Sequence, residues 1–178
     1  MYHLFNETKL LIVKATEELL EKQPIEKISV STIMKKCGMS RQTFYNHFYD
    51  KFDLIIFLHL YKTITSIKKF QRSKNFICSM TDSFKLMQQN RTIYLNLSSY
   101  RGQNSFEESY FEFLIGYSIE HIGENRLSLD ESFIHELYWH GVTSMVLKWF
   151  KDDMAIEADK LGELIYKSMP EAIQHYYV

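Results

Sequence analysis

Residues 28–54 read ISVSTIMKKCGMSRQTFYNHFYDKFDL, and this stretch decides the fold. Val30, Ile33, Met34 and Cys37 recur three or four apart, which places them on one face of a short helix. Ser29 and Ser31 stand at its start as hydroxyl residues suited to free N–H groups. Gly38 supplies the positive φ that ends a helix. Ser40 then reads as the N-cap of a second helix, on which Phe44 and Phe48 share a face at i, i+4. Two helices joined by so short a Gly-containing turn cannot lie antiparallel; they cross steeply, as in a DNA-binding helix-turn-helix.

Arg41, Gln42, Thr43, Tyr45, Asn46 and His47 put hydrogen-bonding side chains on the outward face of that second helix. Gly between two amphipathic helices is a weak signal alone. This chain adds Gly-Met-Ser, then Thr-Phe-Tyr-Asn-His-Phe, then Asp-Lys and Leu54 at fixed spacing. That string closely resembles the N-terminal motif of the tetracycline-repressor (TetR) family of transcriptional regulators, over about residues 6–55. The resemblance implies an all-α protein: a three-helix DNA-binding head over residues 1–50 (motif about 29–48) and a helical effector-response and dimerisation body over 51–178.

The chain has 178 residues, 46% hydrophobic and 15% aromatic, enough to bury a substantial core. No apolar run approaches the ~18 residues of a membrane span, and Met-Tyr-His-Leu-Phe-Asn-Glu has no signal-peptide character, so a cytoplasmic protein without membrane partners is expected. Cys37 and Cys78 are too few and too far apart for a disulfide scaffold or zinc finger. The net charge of −1 hides an asymmetry: residues 1–72 carry +5 and residues 73–178 carry −6. A basic front on an acidic body suits a DNA-binding head.

In chain order, Asn6 or Thr8 caps a first helix to about Lys22, with Leu10, Val13, Leu19 and Leu20 buried beside Ala15 and Thr16. Pro24 stops it. Asp50 caps a fourth helix, Lys51 to about Phe70, with a stripe of Leu54, Ile55, Leu58, Tyr61, Ile64 and Ile67. Gln71–Asn75 reads as a loop. Helices follow over 76–90, 92–99, 106–120, 130–151 and 155–176, with breaks at 101–104, 123–125 and 151–153. About nine helices and no strand are expected.

Tyr138-Trp139-His140-Gly141-Val142, followed by Val146-Leu147-Lys148-Trp149, resembles the C-terminal half of a TetR subgroup common in Firmicutes, which includes regulators of dihydroxyacetone kinase operons. RQTFYN in the head is similar to the same subgroup. Gly141 and Ser144 lower the surface of a helix otherwise apolar at Leu137, Val142, Met145 and Trp149. With Leu161 and Ile165 on the last helix, these residues fit the four-helix homodimer interface of TetR relatives. A monomer's own core is the alternative.

Arg41, Gln42 and Thr43 are the candidates for reading bases: Arg bonds guanine bidentately, Gln bonds adenine, and Thr meets the thymine methyl. Gln42 stands where most relatives carry a small residue, which puts the family's usual contact in doubt there. Met34 and Cys37 replace the usual Ala. The resemblance implies a DNA phosphate contact for Lys51 and a backbone contact for His47. Tyr45 offers its hydroxyl to a phosphate or simply packs, and Ser29 and Ser31 either hold phosphates or cap. The partner implied is a palindromic double-stranded DNA operator.

In the body, Phe84, Tyr94, Phe106, Tyr110, Phe113, Tyr117 and Tyr138, with Tyr100 among other aromatics, line an effector pocket or form ordinary core. An unknown small molecule, or a protein co-regulator needing no cavity, is the further partner. His135 and His140 are five apart and face different ways, so with His121 they make no metal site. No cofactor is expected. An enzyme is the competing class, but no Gly-rich phosphate loop, Gly-x-Ser-x-Gly elbow or Cys–His spacing is present. A helical interaction protein without DNA binding is the third, and Arg41 and Lys51 argue against it.

Overall fold

Asn6 accepts the Lys9 N–H at 2.8 Å and opens the first helix, α1 (Glu7–Leu20). In the computed structural model, which describes residues 6–73, 75–99, 106–123 and 126–177 (without side-chain placement for 65–67 and 69–73), α1 buries Ile12, Val13, Ala15, Thr16 and Leu20. Leu10 and Leu19 are only half-buried. Ile12 takes the larger share because the helix faces both the motif and the body. Pro24 precedes a 3-10 turn, Ile25–Lys27, whose Ile25 is fully buried.

The motif follows as α2 (Val30–Lys36) and α3 (Arg41–Tyr45). Gly38 sits at φ 68°, the conformation only Gly adopts without strain. Ser29 and Ser40 cap the two helices, accepting from the N–H groups of Thr32 (3.0 Å) and Thr43 (3.1 Å). Phe44 and Phe48 pack their rings 5.5 Å apart in the head's core.

The body is α4 (Lys51–Ser73), α5 (Phe76–Gln89), α6 (Arg91–Ser99), α7 (Phe106–Ile122), α8 (Leu129–Lys151), α9 (Ala158–Lys167) and α10 (Glu171–Gln174). Asp50 caps α4 by accepting from Phe52 N–H (2.8 Å) and Asp53 N–H (2.9 Å). The described residues contain no strand, and none of their helices is long and apolar enough to cross a membrane. The protein is all-α, with ten α-helices among the described residues.

Three sequence expectations need correction. The expected loop at Gln71–Asn75 is helical through Ser73, and Asn75 caps α5. The expected last helix over 155–176 starts at Ala158 and is split in two by Pro170, which lacks an N–H. On α4, Tyr61 turns outward, and His59 and Thr63 take the buried face, Thr63 bonding back to the His59 carbonyl. The break expected at 101–104, residues 124–125 of the one expected at 123–125, Tyr100 and the side chain of Ile67 lie outside the described residues.

Candidate nucleic-acid interface

The recognition helix is barely a turn and a half, and Phe44 alone anchors it. Phe44 is fully buried, while Arg41, Gln42, Tyr45 and Asn46 are exposed and Thr43 and His47 half-exposed. Five of these side chains are paired with a neighbour. Arg41 Nη2 donates to Tyr45 Oη at 3.4 Å, and Gln42 Nε2 to Asn46 Oδ1 at 3.2 Å. Thr43 Oγ1 lies 3.0 Å from Ser40 Oγ. These i, i+4 and i, i+3 pairs tie the outward donors and acceptors to one another. Ser29 spends its hydroxyl on Thr32, whereas Ser31 is exposed on the first turn of α2. Tyr49, not singled out from the sequence, is strongly exposed just beyond the recognition helix.

Lys51, expected at a DNA phosphate, has partners within the chain. Its Nζ donates to the carbonyls of Ile25 (2.9 Å) and Ile28 (3.1 Å), inside the head. Burial holds the ammonium below its ordinary pKa, with Glu26 and Asp50 opposing. The start of α4 is also taken by carboxylates: Asp50 caps it, and Asp53 Oδ2 accepts the Tyr49 N–H at 2.8 Å.

The body grips the head at one further place. Asn96, on α6, accepts from Ile25 N–H (2.7 Å) and donates to the carbonyls of Leu20 (2.8 Å) and Gln23 (2.7 Å). Lys62, on α4, pairs with Glu17 on α1 and donates to Asn90 Oδ1 at 2.7 Å. Sequence reading missed both residues. The available signal was a lone Asn in the apolar stripe of α6.

The seven aromatics expected around a pocket do not surround one space. Tyr94 on α6 begins a run of rings continued along α7 by Phe106, Tyr110, Phe113 and Tyr117, with Phe106 stacked on Tyr110 at 5.4 Å. Phe84 instead meets Trp149 at 5.7 Å, and Tyr138 Oη donates to the Ile165 carbonyl on α9 at 2.8 Å. His59 is buried edge-on to three of these rings and bonded to Tyr94 Oη at 2.9 Å, and burial lowers its pKa to about 3. A cavity of about 30 Å³ lies between Tyr117, Phe76 and Trp139, room for one or two waters. His135 bonds Ser118 at 2.6 Å, His121 reaches the Tyr176 carbonyl at 3.1 Å, and His140 stacks on Phe111; they do not converge.

On α8, Leu129 (86% exposed), Phe133 (70%), Leu137 (63%) and Met145 (51%) follow each other on one face, with exposed Gly141 and Ser144 between. A Cβ built on Gly141 meets nothing within 4 Å, so its smallness serves no packing inside this chain. Beside it runs an apolar groove of about 460 Å³ between α8 and the end of α9, lined by Leu137, Tyr138, Met145 and Ile165 among others. Val142, Trp149, Leu161 and Ile165, expected at a dimer interface, are instead buried in the chain's own core. Their side chains close α8 on its neighbours, and Trp149 Nε1 donates to the Ile156 carbonyl at 2.8 Å.

Comparison with known proteins agrees with this architecture. Residues 12–56 match the family model described as bacterial regulatory proteins, tetR family, and residues 74–171 match a transcriptional regulator C-terminal region of that family. Among solved structures, the chain is similar to one titled "Dihydroxyacetone kinase operon activator DhaS", with a TM-score of 0.63 and 19% identity over 97% of this chain and 99% of that one. No curated protein matches. With its head and most of its body both matched, this chain belongs to the TetR family and is a transcriptional regulator.

Proposed function

We propose that this regulator acts in the cytoplasm as a homodimer that places two α3 helices in successive major grooves of a palindromic operator, and that it has no enzymatic activity. The observation that carries the reading is the outward set on α3, where Arg41, Gln42 and Asn46 present base-reading groups over a single buried anchor, Phe44. Tyr45, Tyr49 and Ser31 flank them as phosphate contacts. The head occupies residues 1–50 and the body 51–178. The partner at α8 is a second copy, seated on the Leu129–Phe133–Leu137–Met145 face, where Gly141 permits close approach. The chain represses its target and is released by an effector.

A second reading is activation through a protein co-regulator. The small cavity beside Tyr117 and the mutual packing of the α7 aromatics favour an effector that binds the surface. The activator title of the similar structure points the same way.

An electrophoretic shift with the DNA flanking its own gene tests the proposal. Arg41→Ala is expected to lose roughly 1–3 kcal/mol of discrimination at one base position of each half-site. Binding of every operator variant in the wild-type ranking would reduce Arg41 to a phosphate contact. Transcription with and without candidate effectors then separates repression from activation.

A further inference from the structure

The turn between α1 and α2 is held from two sides. Its Ile25 N–H is taken by Asn96 on α6, and its Ile25 carbonyl by Lys51 at the start of α4. Asn96 also donates to the Leu20 and Gln23 carbonyls, so its amide acts as a C-cap supplied by another helix. The need is real: α1 ends without glycine and without a basic residue in its last turn. Glu17 and Leu19 carbonyls accept from Glu21, Lys22 and Gln23, and Asn96 serves the Leu20 carbonyl beside them.

We infer that Asn96 is a positioning residue for DNA recognition: its three hydrogen bonds to the Leu20–Ile25 turn set the angle of the head on the body, and so the separation of the two recognition helices in the dimer. This rests on the DNA-reading role of α3 proposed above. The physical argument is stiffness. α3 packs on α2 and α2 on α1, so the head is one piece, and α6 holds it at the turn that leads from α1 to α2. Three bonds of 2.7–2.8 Å from one planar amide to three backbone groups of that turn resist both sliding and tilting of the head against α6. A shift of α6 must carry the turn with it or break all three. Operators are read at fixed half-site spacing, so an angle held here becomes a spacing preference.

The test uses the full chain with Asn96→Ala and Asn96→Asp. The Asp variant keeps an acceptor for Ile25 N–H but faces the two carbonyls without a donor. Two measurements are made. The first is the distance distribution between spin labels at Gln42 in the head and Glu163 in the body, in a Cys37→Ser, Cys78→Ser background, with labelled chains diluted in unlabelled ones. It needs no DNA. The second is affinity for operators whose half-sites are moved apart or together by one and two base pairs, alongside a single half-site.

The expected result is a narrow distance distribution in the parent and a broad one in both variants. The spacing profile should flatten, from at least tenfold discrimination to within about threefold, with half-site affinity unchanged. An unchanged distance distribution overturns the inference. So does a broadened distribution with an unaltered spacing profile, which would leave Asn96 a stabilising contact only. If the parent binds no DNA, the recognition role of α3 fails, and a narrow distribution that broadens in the variants still establishes the lock.

Discussion

Lys51→Met separates a structural lysine from a DNA-contacting one. The substitution keeps most of the aliphatic stem and removes the ammonium, which serves the Ile25 and Ile28 carbonyls and lies 5.4 Å from the Phe52 ring centre. A hydrogen bond to a charged group contributes about 1.5–3 kcal/mol when buried. Two effects reduce the total here: the side chain is half-exposed, so water replaces part of what is lost, and desolvation already disfavours the ammonium. The net loss is about 1–2 kcal/mol, or roughly 2–8 °C in Tm for a chain of this size. Denaturation monitored by circular dichroism measures it. Operator affinity across a salt series supplies the second readout. An ammonium turned into the head neutralises no phosphate, so the salt slope should be unchanged. A slope smaller by about two per dimer, with Tm unaltered, would refute the reasoning, because each lost phosphate contact removes roughly 0.9.

If the proposed dimer forms through α8, Leu137→Asp should give monomers in sedimentation at micromolar concentration where the parent is dimeric, while far-UV circular dichroism stays unchanged, since Leu137 is exposed in the chain itself. Gly162→Ala should destabilise by up to about 2 kcal/mol in chemical denaturation: its Cβ would collide with Thr81 Oγ1 across the α5–α9 contact, an overpacking cost of roughly 1–3 kcal/mol against about 1 kcal/mol of helix propensity gained. Adding Thr81→Ala should recover most of that loss in a double-mutant cycle. For His59 the unfolded chain takes up a proton near pH 6.5 and the folded chain only near 3, so stability is full above 6.5 and is lost as pH falls toward 3. The loss runs at about 1.4 kcal/mol per pH unit, near 2 kcal/mol by pH 5, and His59→Gln should flatten that part of the profile.

The head was legible in the sequence because its signals are local. Ser29, Gly38, Ser40 and Asp50 each act on backbone groups within four residues, and Phe44 and Phe48 are neighbours one turn apart. The residues on the outer face of α3 follow from helix period alone. Helix count in the body was nearly as readable, and the misses there, Pro170 and the extra turn at Gln71–Ser73, are also local.

What tertiary structure alone decided is where long side chains and lone polar residues end up. Lys51 can swing its ammonium toward solvent or back into the head, and only the position of the Ile25–Lys27 turn selects the second. Asn96 finds its three partners 71 to 76 residues away, a distance no periodicity encodes. On α8 the apolar residues run around most of the helix, so sequence could not divide its buried face from its exposed one; α8 packs on α6, α7 and α10, which leaves Val142 and Trp149 buried and Leu137 and Met145 outside. Helix period names the residues that share a face. The neighbours that reach that face first decide which one stays exposed to a partner.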